Sequence, residues 1–214
     1  MNNFLKKVKL SKLNKGMTYV ELIVVLSIFA IMSAAVMYNY GEFQAKVDIK
    51  NLASDIASKI VEAQRASISG ARSSHSPSAL GWKPAYGVYF SKVDNTNGAN
   101  NKNFFYFTDR NNNFIYDDSS CSPDVLTTEC LDKISIAKGD NYIQEIEKCD
   151  DEPCSAPSIQ NSLSVIFKRP DSRANFSGVS IAEQGYMRIT VASPKSADIK
   201  SKIKVYPSGR IQVD

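Results

Sequence analysis

The chain has one long apolar stretch near its beginning. Residues 20–38 are almost all apolar, and from Leu22 to Met37 no residue carries a charge. A run of this length is just long enough to cross a bilayer as a helix. The pattern therefore predicts a transmembrane or assembly helix over residues 17–40.

A second helical pattern follows, and no proline interrupts it between residues 42 and 69. Its apolar residues recur every three or four positions, at Leu52, Ile56, Ile60 and Ala63. This spacing is typical of an amphipathic helix that lies on a core. We expect one helix from Met17 to Ser69, whose amphipathic half covers residues 41–70, with a possible bend at Gly41 and a C-cap at Gly70.

After Gly70 the pattern changes to short strand-like runs. Six segments have this composition: 85–91, 103–108, 163–169, 185–192, 202–206 and 210–213. The segment Pro207-Ser208-Gly209 predicts a tight hairpin between the last two. The sequence thus predicts an α+β fold, in which the long N-terminal helix packs on an antiparallel sheet of a β-rich head formed by residues 71–214.

The head contains four cysteines, within a stretch of about 118–161 that shows few periodic signals. An even number of cysteines in an exported domain indicates disulfides. The short spacings favour the pairs Cys121–Cys130 and Cys149–Cys154. A zinc site would usually need a closer spacing, which only the second pair approaches. We expect an irregular excursion with two disulfides.

Composition changes this picture at the N-terminus. The chain has 214 residues and a formal charge of +4, but residues 1–16 alone contribute five lysines and no acidic residue. The remaining 21 basic and 22 acidic residues give −1, which does not favour a general nucleic-acid binder. Lysines before an apolar run are typical of an export signal, and the positive-inside rule places the chain after Tyr38 on the far side of the membrane.

Glu21 is unexpected, because it stands at the head of the apolar run. A carboxylate in the middle of a bilayer helix costs about 2.5–3.5 kcal/mol on insertion scales, so such a residue normally has a partner. Cleavage between Gly16 and Met17 would create an α-amine about one helical turn from Glu21. The amine of one chain could then pair with the carboxylate of a neighbour. Loss of either partner would leave a buried charge that costs about 3–5 kcal/mol.

The segment Gly-Met-Thr-Tyr-Val-Glu, which starts at Gly16, resembles the class III signal of type IV pilins and type II secretion pseudopilins. In that family a basic leader ends in glycine, usually followed by Phe-Thr-Leu-x-Glu and an apolar helix. Gly16, Thr18 and Glu21 match this pattern, Met17 is an accepted variant, and Tyr19 departs from the usual leucine. More loosely, AYGVYF, FTDRNNN and IKVYPSGRIQV look like segments of the GspH/FimT-like minor pseudopilins.

The resemblance implies a pilin-like fold. It implies a prepilin leader over residues 1–16, cut after Gly16 by a prepilin peptidase, with Met17 N-methylated. Glu21 would serve assembly with other pilin or pseudopilin subunits on an inner-membrane assembly platform. Two other interpretations stay open: a secretory signal cleaved near the small residues 33–35, and an uncleaved single-pass anchor. Either leaves Glu21 and its preceding glycine unexplained.

An Asp/Asn-rich segment is a candidate calcium site. Its oxygen-bearing residues stand at positions one, three, five and nine of a calcium-loop pattern: Asp109, Asn111, Asn113 and Asp117. The pattern has Phe114 where such a loop has glycine, and Ser120 where it has a bidentate glutamate. We therefore favour a polar turn between strands 103–108 and 114–117, in which the side chains bond their own backbone. No other cofactor is expected.

A basic stretch near the C-terminus is a candidate DNA contact. Some members of the resembled group bind DNA through a Gly-Arg-x-Arg motif, whereas this chain has Gly209-Arg210-Ile211-Gln212 and lacks the second arginine. Strand alternation puts Lys202 and Lys204 on one face, where they could contact phosphates. We favour a solvated strand face that protects an edge from aggregation, because the chain after residue 16 has no net positive charge.

No set of residues in the sequence indicates catalysis. His75 is the only histidine and stands among serines in a connecting segment, where we expect a solvated side chain. Trp82 and the many tyrosines and phenylalanines have the strand-like spacing of core residues. There is also no phosphate-binding glycine loop.

The sequence thus predicts a structural minor pilin or pseudopilin subunit. It would be anchored in the bacterial inner membrane, with its C-terminal domain in the periplasm, and then assembled into a type IV pilus or a type II secretion pseudopilus. Two other functions stay open: a DNA-binding minor pilin for natural transformation, and a membrane-anchored surface protein that forms no filament.

Overall fold

The computed structural model describes residues 16–78, 81–94, 98–136 and 140–214, without the side chains of Asn39 and Ala197. Most of the expected leader, residues 1–15, lies outside the described residues. The chain divides into two compact units, Met1–Gly41 and Glu42–Asp214, and helix α1 (Tyr19–Ser69) contributes to both. The strands are β1 (Ala85–Ser91), β2 (Asn103–Thr108), β3 (Cys130–Ser135), β4 (Tyr142–Cys149), β5 (Ser158–Gln160), β6 (Ser162–Lys168), β7 (Ala174–Phe176), β8 (Tyr186–Ser193), β9 (Ser196–Val205) and β10 (Ile211–Val213).

The part of α1 in the first unit has no buried face. From Met17 to Tyr40 the described side chains are exposed, except that of Ser33, which is half-buried. The helix is long and apolar enough to cross a membrane. A helix that is apolar all round requires lipid or other helices around it, because water cannot solvate that surface favourably.

The part of α1 in the second unit has one buried stripe. Its fully buried residues follow steps of three and four: Ala45, Ile49, Ala53, Ile56, Ile60, Ala63 and Ser67. The predicted amphipathic period is therefore confirmed.

The helix ends in a Schellman motif at Gly70, which has φ 70°. The N–H of Ala71 donates to the carbonyl of Ala66 at 3.0 Å, and the N–H of Gly70 to that of Ser67 at 3.1 Å.

The head contains two antiparallel sheets, where the sequence predicted one. Sheet A has the order β3-β2-β1-β6-β7, and sheet B has the order β10-β9-β8-β4-β5. The main core joins the buried stripe of α1 to alternate residues of both sheets, among them Val88 and Phe90 of β1 and Ile189 and Val191 of β8. The α+β class is confirmed, with the helix packed on two sheets.

Smaller clusters lie on the outer faces of the sheets. On sheet A, Tyr89, Phe105 and Phe107 pack against Tyr116 from the loop between β2 and β3. On sheet B the disulfide Cys149–Cys154 packs on two tyrosines. The chain segments that follow β2 and β4 are therefore fastened to the outside of the sheets.

The strands differ from the sequence prediction mainly between residues 118 and 161. The bounds of β1 and β2 were predicted correctly, but the expectation of an irregular excursion was wrong for β3, β4 and β5. Strand β4 contains a bulge between Ile143 and Glu145, so its inward residues Ile143 and Ile146 are three positions apart and lose the two-residue period. The predicted strand at 114–117 is not formed.

The predicted hairpin at 207–209 is present between β9 and β10. Gly209 has φ 84°, and its N–H donates to the carbonyl of Tyr206 at 2.9 Å. A Cβ atom at this position would collide with the carbonyl oxygen of Ser172. Both the turn and the close approach therefore require glycine.

We predict that Ile56→Ala lowers the free energy of unfolding of the head by about 2–5 kcal/mol, because it leaves a cavity where α1 meets both sheets. Chemical unfolding of the full chain in detergent, followed by near-ultraviolet circular dichroism, measures this change. Ile28→Ala is the matched control: Ile28 is 53% exposed in the first unit, so the head should be unaffected. Equal losses in both variants would contradict the division into two units.

Candidate functional site

Thr18 and Glu21 form the cap at which α1 begins. The helix starts at Tyr19, so Thr18 is the N-cap and Glu21 is the third helical residue. The backbone N–H of Glu21 donates to Oγ1 of Thr18 at 3.2 Å. Threonine at the N-cap and glutamate three residues later are the two residues of a capping box. The carboxylate also lies near the positive end of the helix dipole. This signal is present in the sequence, in the spacing of Thr18 and Glu21.

The carboxylate of Glu21 is available to a partner outside the chain. Glu21 is exposed, and no ion pair involves it among the described residues. Gly16 is exposed as well, and a Cβ atom placed on it would meet no described atom within 4 Å. Packing against the described residues therefore gives no reason for a glycine at this position.

The structure brings the four residues of the Asp/Asn-rich segment into one loop. The carboxylate of Asp109 accepts the N–H of Asn113 at 3.2 Å and that of Phe114 at 2.9 Å. The side-chain amides of Asn111 and Asn113 donate to Oδ2 of Asp117 at 2.7 and 2.6 Å. Their own oxygens accept N–H groups two residues on. The side chains thus bond their own segment as a polar turn does, and we make no calcium proposal for it.

Two further carboxylates hold this loop in place, those of Asp118 and of Glu129, and no pattern in the sequence pointed to the second. Glu129 accepts the N–H of Arg110 at 3.0 Å and the N–H of Asp117 at 3.1 Å. Oδ2 of Asp118 accepts the N–H of Glu129 at 2.6 Å and that of Cys130 at 3.1 Å. No local pattern could have indicated these bonds, because their partners are 11–19 residues apart.

The pKa of Glu129 is raised to about 7: burial is the largest cause, the nearby carboxylates of Asp109 and Asp117 add to it, and the hydrogen bonds from the N–H groups of Arg110 and Asp117 act in the opposite direction. Burial also raises the pKa of Asp109, which is fully buried, and the backbone N–H groups that donate to its carboxylate lower this pKa. The loop therefore has two buried acids beside each other. Within the described residues no group of three or more His, Cys, Asp or Glu side chains is placed to hold a metal ion.

The disulfides have the pairing that the spacing favoured. Cys121–Cys130 ties the loop after β2 to the start of β3, and Cys149–Cys154 closes the turn after β4.

The expectation of a solvated His75 was wrong, because this residue is only 4% exposed. Its carbonyl accepts a bond from Nη1 of Arg110 at 2.6 Å, which fastens the connecting segment to the loop after β2.

Lys204 is already neutralised within the head. Its Nζ lies 2.8 Å from Oε1 of Glu152 and 2.8 Å from Oδ2 of Asp214, and its side chain is 12% exposed. The pKa of Lys204 is raised, first by its bond to Asp214 and then by its bond to Glu152. The two other residues of the basic stretch are Lys202, which shares the outer face of β9 with Lys204, and Arg210, whose guanidinium lies 3.9 Å from the ring centroid of Tyr206. This geometry does not favour a phosphate-binding stripe.

Comparisons of the chain with protein-family models, with curated proteins and with solved structures find no match.

We predict that the stability of the head falls as the pH rises from about 4.5 to about 7, because folded Glu129 still holds its proton in this window whereas the unfolded chain has released it. The slope from this group is at most about 1.4 kcal/mol per pH unit. The variant Glu129→Gln should lack this part of the slope of stability against pH, even if its stability differs from that of the unmodified chain at every pH.

Denaturant unfolding of the full chain in detergent at a series of pH values measures these slopes. Glu62→Gln is the control, because Glu62 is exposed on α1 and its variant should keep the slope of the unmodified chain. Parallel pH curves for the unmodified chain and Glu129→Gln would contradict the prediction.

Proposed function

We propose that the chain is a pilin-like structural subunit of a type IV pilus or a type II secretion pseudopilus. It is processed after Gly16, anchored in the bacterial inner membrane by residues 17–40, and assembled with its head on the outer side of that membrane. The observation that carries the proposal is the start of α1. There a glycine that packs against no described residue precedes a capped helix that is apolar all round and has one carboxylate in its first turn.

The division of the chain into two units supports this role. The head has its own core, built from residues after Glu42, and does not use the apolar part of α1 to fold. The apolar part is therefore free to pack with lipid before assembly and with other helices afterwards. A subunit that moves from a bilayer into a filament needs this independence.

Glu21 has two roles in the proposal, and they are compatible. As the third helical residue it favours the start of the helix through the capping box and the helix dipole. As a carboxylate in apolar surroundings it requires a positive partner, and the α-amine of Met17 on a neighbouring chain supplies one. Because a glutamine can replace a glutamate in a capping box but carries no charge, the two roles can be separated by substitution.

The geometry does not favour the DNA-binding alternative, because Lys204 is bound to two carboxylates within the head. The anchored surface protein differs from our proposal at the N-terminus. It needs neither a cut after Gly16 nor a carboxylate at position 21.

We predict that the chain, expressed with a prepilin peptidase, begins at Met17 and carries one added methyl group on its α-amine. Mass spectrometry of the intact protein and of its N-terminal peptide measures this. Gly16→Leu should leave the leader attached, whereas Gly41→Ala, at a second exposed glycine, should be processed normally. An intact leader or a cut near Ala35 would overturn the proposal.

We predict that Glu21→Gln lowers incorporation into filaments more than 100-fold, because one α-amine is left buried without a partner at a cost of about 3–5 kcal/mol. Immunoblots of sheared filaments against total membrane protein measure the ratio. Thr18→Ala removes the side-chain cap and keeps the charge, so it should assemble far better than Glu21→Gln.

The control for charge is Glu42→Gln. This exposed glutamate on the same helix pairs with Lys46, at 2.6 Å, and its variant should assemble normally. Head stability should be unchanged in all three variants. Normal assembly of Glu21→Gln together with failure of Thr18→Ala would show that Glu21 acts as a cap alone.

A further inference from the structure

The head has a small cleft near its beginning in the sequence, where α1 passes the start of β9. The cleft has a volume of about 180 Å³, and its lining comes from both elements: Lys46, Ile49 and Lys50 of α1, and Asp198, Ile199 and Lys200 of β9. The two isoleucines are buried and belong to the main core, whereas the three lysines are exposed. The fold of the head therefore brings basic side chains from distant parts of the chain together around one opening.

Three lysines at this end of the head keep their charge unpaired. Lys50 and Lys200 line the cleft, and Lys195 stands in the turn between β8 and β9, five residues before Lys200. All three are exposed, and none of them has an ion pair among the described residues. Their ammonium groups are therefore available to an anion outside the chain.

Acidic residues do not cancel this charge. Lys46 pairs with Glu42 at 2.6 Å, and Asp198 lines the cleft without an ion pair among the described residues. Asp48, the next acid along α1, lines a different cavity together with Asn141. Around the cleft four lysines thus stand against two carboxylates, whereas the chain after residue 16 as a whole has a formal charge of −1.

The chain keeps this cleft close to the end of the apolar segment. Tyr38, Tyr40 and Phe43 are exposed, and aromatic side chains are enriched where a membrane helix enters water. Helix α1 continues through Lys46 and Lys50, which follow Tyr40 by about 9 and 15 Å at 1.5 Å per residue. Side chains of a helix lean toward its N-terminus, which brings both ammonium groups nearer to the membrane boundary.

We propose that the surface formed by Lys46, Lys50, Lys195 and Lys200 binds the phosphate groups of anionic lipids in the bilayer that holds residues 17–40. An anionic bilayer attracts a nearby basic residue by about 1 kcal/mol, and this attraction decays over about 8 Å at physiological ionic strength. Lipid is the occupant because its charge is opposite to that of the surface and because the chain itself holds this surface beside the membrane. The contact would keep one side of the head on the bilayer before assembly.

The proposal rests on one part of the proposed function, the anchoring of the chain by residues 17–40. It requires neither processing at Gly16 nor assembly into a filament.

The test uses the full chain in vesicles of phosphatidylcholine and phosphatidylglycerol mixed four to one. Photoreactive p-benzoylphenylalanine replaces Phe43, which shares a helix face with Lys46 and Lys50 because they follow it by three and seven positions. Mass spectrometry of the cross-linked peptide gives the ratio of phosphatidylglycerol to phosphatidylcholine adducts. We expect a ratio about fivefold above that of the bilayer, which corresponds to about 1 kcal/mol. The same probe at Ile28, in the apolar segment, should report the ratio of the bilayer itself.

Charge reversal tests which residues select the lipid. Lys50→Glu and Lys200→Glu should each lower the adduct ratio at Phe43 about fivefold, to that of the bilayer. Lys83→Glu is the matched control, because Lys83 is also exposed and has no ion pair among the described residues. It stands beside Pro84, whose carbonyl accepts the hydroxyl of Ser67 near the C-terminal end of α1, so this variant should keep the ratio of the unmodified chain.

Several outcomes would overturn the lipid contact. One is a ratio at Phe43 equal to that of the bilayer in the unmodified chain. Another is a loss of selectivity in Lys50→Glu but not in Lys200→Glu, because the head would then not take part. Cross-links from Phe43 to a second copy or to another protein, in place of lipid, would also contradict it.

The probe at Ile28 separates this proposal from the anchoring on which it rests. Lipid adducts at Ile28 without lipid adducts at Phe43 would overturn the lipid contact and leave the anchoring by residues 17–40 standing. Absence of lipid adducts at both positions would overturn both.

Discussion

The apolar surface of residues 17–40 is the feature on which the rest of the molecule depends. Within the described chain nothing covers it, since its side chains are exposed all round the helix. Exposed apolar area costs roughly 25 cal/mol per Å², so a surface of this extent cannot remain in water. The cover has to come from lipid or from other helices, and the head must fold without help from this segment. The separate core of residues 42–214 meets that second requirement.

The sequence was most informative where a single periodicity persists. The stripe of α1 that begins at Ala45 repeats without interruption, and β1 and β2 alternate cleanly between the main core and the outer cluster of sheet A. These elements were predicted with correct bounds, or nearly so. Strand β4 was missed because its bulge shifts the alternation. Strand β3 was missed because its exposed residues Asp132 and Lys133 lie on an edge.

The candidate sites differ in the same way: some depend on residues close together in the sequence, and others on residues far apart in it. The start of α1 could be read from adjacent residues, since a cap depends on positions three apart. The loop after β2 could not, because Glu129 and Asp118 bond backbone groups more than ten residues away. His75 was misjudged for the same reason: its segment is held by Arg110, 35 residues further along the chain. Free carboxylates in a sequence therefore do not by themselves indicate a cation site, because loop N–H groups compete for the same oxygens.

Competition for partners also distinguishes the charges that can act between molecules from those that cannot. Lys204 and Glu129 look functional by residue type, yet each is satisfied inside the head, and removing it from its partners would cost stability. Glu21, Arg65 and Asp151 lack an ion pair within the described chain and lie on exposed surfaces. In the first turn of an apolar helix an unpaired carboxylate is costly, whereas on the rim of a head it costs little. Assembly should therefore depend strongly on Glu21.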